Sequence, residues 1–262
     1  MSCSVALVRK MSNQNINKPL LSVAMITFNE ERIIEKTLSA IHNWVDEIVV
    51  VDSYSTDKTP EILECFNVSS YKEKWQGYAK QKNLAISKCH GNWILVIDAD
   101  EIVNEALRKE ILEKIKKPGE NIGFKIKRKF FLGKRWLRYG GYYPDYQLRL
   151  FKSNVGAHFK PREVHESISL DGNIGKLQNP LEHYAYPNLK AYSKALDKYA
   201  ELASVELKHK KYKSPFLRAL WAFVFRYIFR LGFLEGGLGF DMVKAYSGYV
   251  YRKYFLAMKN PK

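Results

Sequence analysis

The sequence predicts an α/β fold: a mostly parallel, doubly wound sheet flanked by helices, followed by a C-terminal amphipathic helical extension. Three observations predict it. Apolar runs and helical periodicities alternate between residues 21 and 115 at the spacing of strand-helix-strand units. The strongest run, Trp93-Ile94-Leu95-Val96-Ile97, is continuous rather than alternating, as in a strand covered on both faces. Beyond residue 189, helical periodicity returns in a segment much more basic than the rest.

The elements follow in order. Leu20 to Ile26 is a first buried strand, and Glu30 to His42 is helical through Ile33, Ile34, Leu38 and Ile41. Glu47 to Val51 is a second strand, closed by Asp52-Ser53-Tyr54-Ser55-Thr56-Asp57. Thr59 to Cys65 is a short helix that tolerates Pro60 in its first turn. Val68 to Tyr71 reads as a short strand, Tyr78 to Lys88 as a helix, and Trp93 to Asp98 as the central strand. Val103 to Lys116 is helical and stops at Pro118-Gly119. Ile122 to Phe130 alternates, as does a strand with one solvated face. Gly140-Gly141-Tyr142-Tyr143-Pro144 reads as a loop and Tyr146 to Lys152 as a strand. Residues 162 to 186 read as irregular, and Leu189 to Lys208 as a helix.

With 46% hydrophobic and 14% aromatic residues the chain can build a core, which excludes a disordered protein. Cys3, Cys65 and Cys89 have no metal-ligand spacing and fit a reducing compartment. Residues 1 to 18 read as a flexible tail without a secretory signal. Net charge is +16, and from Lys190 onward 15 Lys/Arg face 5 Asp/Glu. Nucleic acid or an anionic membrane would suit such a surface.

Pro215 to Phe240 interleaves Phe, Trp, Leu and Tyr with Arg218, Arg226 and Arg230. Its longest uncharged run, Ala219 to Phe225, is well short of the ~20 residues that span a bilayer. At ~100° per residue the three arginines fall within about 120° of one another. An interfacial helix with its arginines toward lipid headgroups fits this pattern, as does an amphipathic helix packed on the main domain.

Four constellations carry candidate chemistry. Thr27-Phe28-Asn29-Glu30 follows strand one and opens a helix, where backbone N–H groups can meet a nucleotide or simply cap the helix. Asp52 ends strand two and can accept from a base or ribose, or cap its own turn. Lys80-Gln81-Lys82-Asn83 lies on a glycine-led helix, facing phosphate or solvent. Asp98-Ala99-Asp100-Glu101 follows the central strand, with Asp98 and Asp100 expected on one side of extended chain. Two anions that close need a cation, and a hard divalent ion on a diphosphate would serve. Open α/β sheets bind ligands at these strand ends.

In this order and spacing the motifs resemble the family 2 glycosyltransferases of the GT-A fold, over residues 20 to 120. The resemblance implies that Thr27, Asn29, Glu30, Asp52 and Lys82 contact a nucleotide. It also implies that Asp98 sits near the ribose or sugar and that the Asp98-x-Asp100 pair binds Mg²⁺ or Mn²⁺ on the diphosphate, with Asp100 the principal ligand; His165 is a further candidate contact to the metal or the diphosphate. Lysine at 82 replaces the usual arginine, losing bidentate recognition.

Tyr143-Pro144-Asp145-x-Gln147-x-Arg149-Leu150-Phe151, Val164-His165-Glu166, His183-Tyr184 and Gly232-Phe233-Leu234-x-Gly236 are similar to the branch containing the lipopolysaccharide inner-core β-1,4-glucosyltransferases. That implies transfer of a hexose, glucose first, from a UDP-sugar to a lipid-linked saccharide. The enzyme would be peripheral on the cytoplasmic face of the inner membrane, with no nucleic acid partner. A polyprenyl phosphate or protein acceptor is the alternative within the fold, and a non-catalytic nucleic-acid-binding protein the alternative outside it.

An inverting displacement needs one carboxylate to take the acceptor's proton. The candidates are Glu166, preferred for its polar irregular surroundings, and Asp145, which with Gln147 and Arg149 otherwise orients the acceptor. The expected organisation is a tail over 1–18 and a catalytic domain over 19–188, with nucleotide and acceptor halves meeting at 120/121. A membrane-associating helical extension over 189–262 completes it.

Overall fold

The computed structural model describes residues 20–160, 167–207 and 214–259. These form two compact units, one of residues 20–126, 147–160 and 167–181, the other of residues 127–146, 182–207 and 214–259. The second unit therefore takes in residues 127–146 and 182–188, upstream of the 188/189 boundary expected from the sequence.

The first unit is the parallel α/β body. Strands β1 (Leu21–Thr27), β2 (Glu47–Asp52), β3 (Ser69–Lys72) and β4 (Trp93–Val96) alternate with helices α1 (Ile34–Ser39), α2 (Thr59–Cys65) and α3 (Tyr78–Ser87). β1 pairs in parallel with β2, Thr27 opposite Asp52, and with β4, Ala24 opposite Val96. β2 pairs in parallel with β3. The short β5 (Glu101–Ile102) leads to α4 (Glu105–Lys116), capped by the Asn104 side chain, which accepts from the Leu107 N–H at 3.0 Å.

Next along the chain come β6 (Gly123–Leu132), β7 (Arg135–Leu137) and β8 (Asp145–Lys152), followed by the antiparallel pair β9 (His158–Phe159) and β10 (Ile168–Ser169). β11 (Ile174–Lys176) runs parallel to β6, and β12 (Leu181–Tyr186) closes the strand list. Through the first unit the strand order is β3-β2-β1-β4-β8-β6, with β8 antiparallel to β4.

Period-two alternation divides the core between the two faces. Val23, Met25, Val50, Leu95 and Ile97 pack with Ile34, Leu38, Leu107, Ile111 and Ile115 of α1 and α4. Ala24, Val51, Ile94 and Val96 face Ala79 and Ala85 of α3, together with Phe151 and Phe159.

The second unit holds α5 (Leu189–Leu207), α6 (Pro215–Val224) and α7 (Gly236–Lys259), with the hairpin of β6 and β7 and the strand parts it shares. Leu132, Leu137, Tyr142, Tyr192, Leu196, Met242 and Val250 form its core. No described helix is long and apolar enough to cross a membrane.

Several expectations are corrected. The central strand ends at Val96, and Asp98 to Asp100 lie in a turn closed by Glu101 N–H donating to the Asp98 carbonyl at 3.0 Å. The two aspartates are thus not on one side of extended chain. The first helix is only Ile34–Ser39, because Asn29 adopts a left-handed φ of 55° and the chain turns before entering it. The stretch from 162 to 186, read as irregular, contains β10, β11 and β12, whose brevity and mixed polarity hid them.

Pro215 to Phe240 is not one helix. After α6 a π-helical turn (Phe225–Phe229), left-handed Leu231 and a 3₁₀ turn (Gly232–Glu235) intervene before α7. Gly239 is required there, since a Cβ would lie 2.1 Å from the Gly232 carbonyl oxygen. Two of the arginines meet tyrosines of α7: Arg226, partly buried, stacks on Tyr246 at 3.9 Å, and Arg218, exposed, lies over Tyr254 at 4.8 Å. Arg230 is exposed and lies over Phe225, and Trp221, Phe225 and Phe229 beside these arginines are themselves exposed. The tail over 1–18, His165 and Glu166 lie outside the described residues.

Candidate active site

The parallel register brings the carboxyl ends of β1, β2 and β4 side by side, and with them most of the predicted polar residues. The first two loops are laced together. Asn29 Oδ1 accepts from the Thr56 N–H at 2.8 Å, and Ser55 Oγ accepts from the Asn29 N–H at 2.8 Å. Thr59 Oγ1 accepts from the Glu30 N–H at 2.8 Å, and Asp57 from the Glu31 N–H at 3.0 Å. Asp52, buried, takes the Ser55 N–H at 2.9 Å and its hydroxyl at 2.5 Å. Asn29 and Asp52 therefore have structural duties, whatever else they contact. Thr27 is buried at the end of β1, and its hydroxyl has no hydrogen-bond partner among the described residues.

At the end of β4 the turn carries a balanced charge network. Asp98 Oδ1 meets Lys82 Nζ at 2.9 Å, and its Oδ2 accepts from Arg149 Nη2 at 2.7 Å. The same nitrogen donates to Glu101 Oε1 at 2.6 Å, while Glu101 Oε2 accepts from the Asp98 N–H at 2.9 Å. Glu101 is fully buried, and Lys82 and Arg149 nearly so. Two cations thus offset two carboxylates, as burial of charge requires. The sequence suggests that Arg149 orients the acceptor or the loop, and its place as counter-ion to Asp98 and Glu101 is not evident there. One signal points that way: a buried Asp/Glu pair after a central strand demands cations, and β8 supplies one at an inward position. Thr37 of α1 fixes the turn from the other side, donating to the Ala99 carbonyl at 2.7 Å.

Negative potential remains on the other flank. Glu30 is pushed up to about 7, first by burial and then by the carboxylates of Asp100, Asp57 and Asp98, with Arg32 opposing. Asp145 belongs to the second unit, where its Oδ2 accepts from Arg128 Nε at 2.9 Å and also meets Nη2. His183 and Tyr184, also in that unit, pack on Phe130 (5.8 Å) and Phe131 (4.6 Å).

Residues 22–198 match the family model described as glycosyl transferase family 2. The lipopolysaccharide core biosynthesis glycosyltransferase LpsC of Rhizobium meliloti (strain 1021) is 30% identical over 250 residues, 90% of each chain. An uncharacterized glycosyltransferase of Rickettsia bellii (strain RML369-C) is 43% identical over 91 residues, 35% of this chain and 31% of that one. In fold the chain is similar to residues 1–349 of S. aureus TarS, solved in complex with UDP-GlcNAc. The TM-score is 0.52 at 18% identity, covering 89% of this chain and 81% of that one. The family-model match over residues 22–198 spans both the laced strand-end loops and the β8 strand that supplies Arg149, and on it and the LpsC relative the chain belongs to glycosyl transferase family 2.

Proposed function

We propose that this glycosyltransferase moves a hexose, with inversion, from a nucleoside-diphosphate sugar to a lipid-linked saccharide. A UDP-sugar is the first candidate donor and glucose the first candidate hexose. The observation that carries the donor reading is the Lys82–Asp98–Arg149–Glu101 network at the ends of the parallel strands, where an α/β sheet receives its ligand. A carboxylate has about four acceptor positions, so Asp98 can take a sugar or ribose hydroxyl while it holds both cations. The laced loops of β1 and β2 form the wall for the nucleotide, with Thr27, Asn29, Glu30 and Asp52 in it.

A divalent ion fits this site. Burial is the first cause of the raised Glu30, and the neighbouring carboxylates the second; such an ion would relieve the carboxylate part, to which Asp100 contributes most. The described residues hold no group of three ligating side chains. Asp100, with His165 and the donor's phosphates, would hold Mg²⁺ or Mn²⁺, and both oxygens of Asp98 already meet cations. When bound, the ion neutralises charge on the departing diphosphate. Lys82 and Arg149 keep Asp98 oriented, Thr37 holds the turn, and Glu166 takes the acceptor's proton. Asp145, engaged by Arg128, positions the acceptor segment.

The acceptor reading is supported by the similarity to a lipopolysaccharide core enzyme and by the outward face of α6 and its following turns. Phe216, Leu217, Trp221, Ile228 and Phe229 are each more than half exposed, a contiguous stretch of sequence suited to a membrane surface. On this reading the enzyme works as a peripheral protein at the cytoplasmic face of the inner membrane.

The test is thermal stabilisation by UDP-, GDP- and dTDP-hexoses with and without Mn²⁺, followed by nucleotide release on adding acceptor. A metal-dependent rise in melting temperature with one donor is the expected result. Native protein that no donor stabilises would remove the reading.

A further inference from the structure

The second unit contains a cleft of about 420 Å³ lined by Trp136, Arg138, Tyr139, Tyr143, Phe229 and Arg230, among others. We propose that it binds the phosphate-bearing saccharide of the lipid-linked acceptor. The inference rests on the transferase reading above and deepens it by naming where the acceptor's sugar is held.

The chemistry of the wall selects the ligand. Trp136 and Tyr143 meet edge to face with centroids 5.4 Å apart, offering ring faces at right angles. Tyr139, an exposed ring in the same lining, can pack against the C–H face of a pyranose. Cations crowd the other two rings: Arg138 lies 4.2 Å and Lys129 4.6 Å from the Trp136 centroid, and Lys127 lies 5.9 Å from that of Tyr143. Arg230 adds a further guanidinium, and no carboxylate is among the lining residues. The acid close at hand, Glu235, is buried and fully employed. It takes the N–H groups of Arg138 (2.7 Å) and Tyr139 (3.1 Å) and the Arg135 side chain (3.1 Å). Aromatic rings beside guanidinium forks, with no carboxylate among the described lining residues, match a phosphorylated sugar better than a neutral one.

The cleft is also built in advance. Glu235 fixes the backbone of 138 and 139, and Gly140 N–H donates to the Arg230 carbonyl at 2.7 Å. The left-handed φ of +74° at Gly140 and +83° at Gly141 lets the loop turn there. These anchors use the backbone of residues 138, 139, 140 and 230, and the Arg138 and Arg230 side chains, lying over Trp136 and Phe225, bond no carboxylate among the described residues. A volume of this size accommodates one or two sugar rings. Phe229 is at once a cleft wall and, at 63% exposure, part of the outward apolar face. A ligand seated here can therefore carry its acyl chains directly into lipid.

The experiment titrates the full chain with glucose 6-phosphate, glucose and inorganic phosphate under saturating UDP, reading tryptophan fluorescence. UDP binding is measured separately beforehand. Glucose 6-phosphate should bind about tenfold more tightly than either fragment, and Arg138→Ala and Arg230→Ala should each weaken it about tenfold. Vesicle flotation adds the source: phosphatidylcholine carrying a phosphorylated glycolipid should recruit the protein better than phosphatidylcholine carrying phosphatidylglycerol. Should an arginine variant fail to fold, Tyr139→Leu, at an exposed ring, supplies the same readout. Equal binding of phosphate and glucose 6-phosphate, unchanged binding in natively folded variants, or equal recruitment to both vesicles would each overturn the proposal. Absence of UDP binding in the unaltered protein would instead remove the donor assignment and leave the cleft result standing.

Discussion

A single guanidinium nitrogen of Arg149 joins Asp98 and Glu101, at 2.7 and 2.6 Å, across 51 and 48 residues of sequence. Glu101 is entirely buried, and that contact and the Asp98 N–H are among the bonds that satisfy its carboxylate.

Arg149→Ala leaves a buried carboxylate without its cation and should cost about 3–5 kcal/mol of stability. Urea denaturation measures it. Combining it with Glu101→Gln should recover part of that loss; strict additivity would show that the two do not act together.

Glu30 gives the protein a pH signature. Its folded value of about 7 lies above the ordinary 4.5, so the protonated carboxyl is favoured in the folded state. The associated stability is complete below about 4.5 and drains away as pH rises through about 7. In metal-free buffer, Glu30→Gln should flatten this part of the stability profile. Added Mn²⁺ should flatten it too, by replacing the proton as the source of positive charge. A profile identical in both proteins would remove the assignment.

Asp100→Asn separates chemistry from folding. It should lower transfer by roughly 10²-fold or more through loss of charge at the diphosphate. Because Asp100 is the largest charged contributor to the raised Glu30, the same change should stabilise the protein slightly at neutral pH. Slower turnover with an equal or higher melting temperature is the expected pair. Full metal-dependent activity in this variant would exclude Asp100 as a ligand.

Arg226 and the exposed aromatics of the C-terminal region respond oppositely to substitution. Trp221→Glu and Phe229→Glu, at exposed positions, should reduce flotation with anionic vesicles and leave the free energy of unfolding within about 1 kcal/mol of wild type. Arg226→Ala should lower stability, since its guanidinium packs between Tyr246 and Tyr142. Glutamate variants that float as well as wild type would detach this face from the membrane.

The parallel body was legible because burial on both faces of β1, β2 and β4 forces unbroken apolar runs, a local property of the sequence. Thr27, Asp52 and Asp98 were legible because each stands at the end of such a run. Arg149 was not legible as the counter-ion of Asp98 and Glu101, because the contact depends on β8 lying antiparallel beside β4, which no local pattern encodes. The packing of Arg226 was hidden for a similar reason. Periodicity identifies a stripe of arginines, and only Tyr246 of α7, distant in sequence, draws Arg226 out of it.

The reciprocal bonds between Asn29, Ser55 and Thr56 hold the two loops in place before any donor arrives. On the proposed donor reading a nucleotide would meet a finished wall, with little ordering entropy opposing its capture there. Association at that wall should proceed in one kinetic phase whose rate rises in proportion to donor concentration, without the plateau that a slow rearrangement imposes.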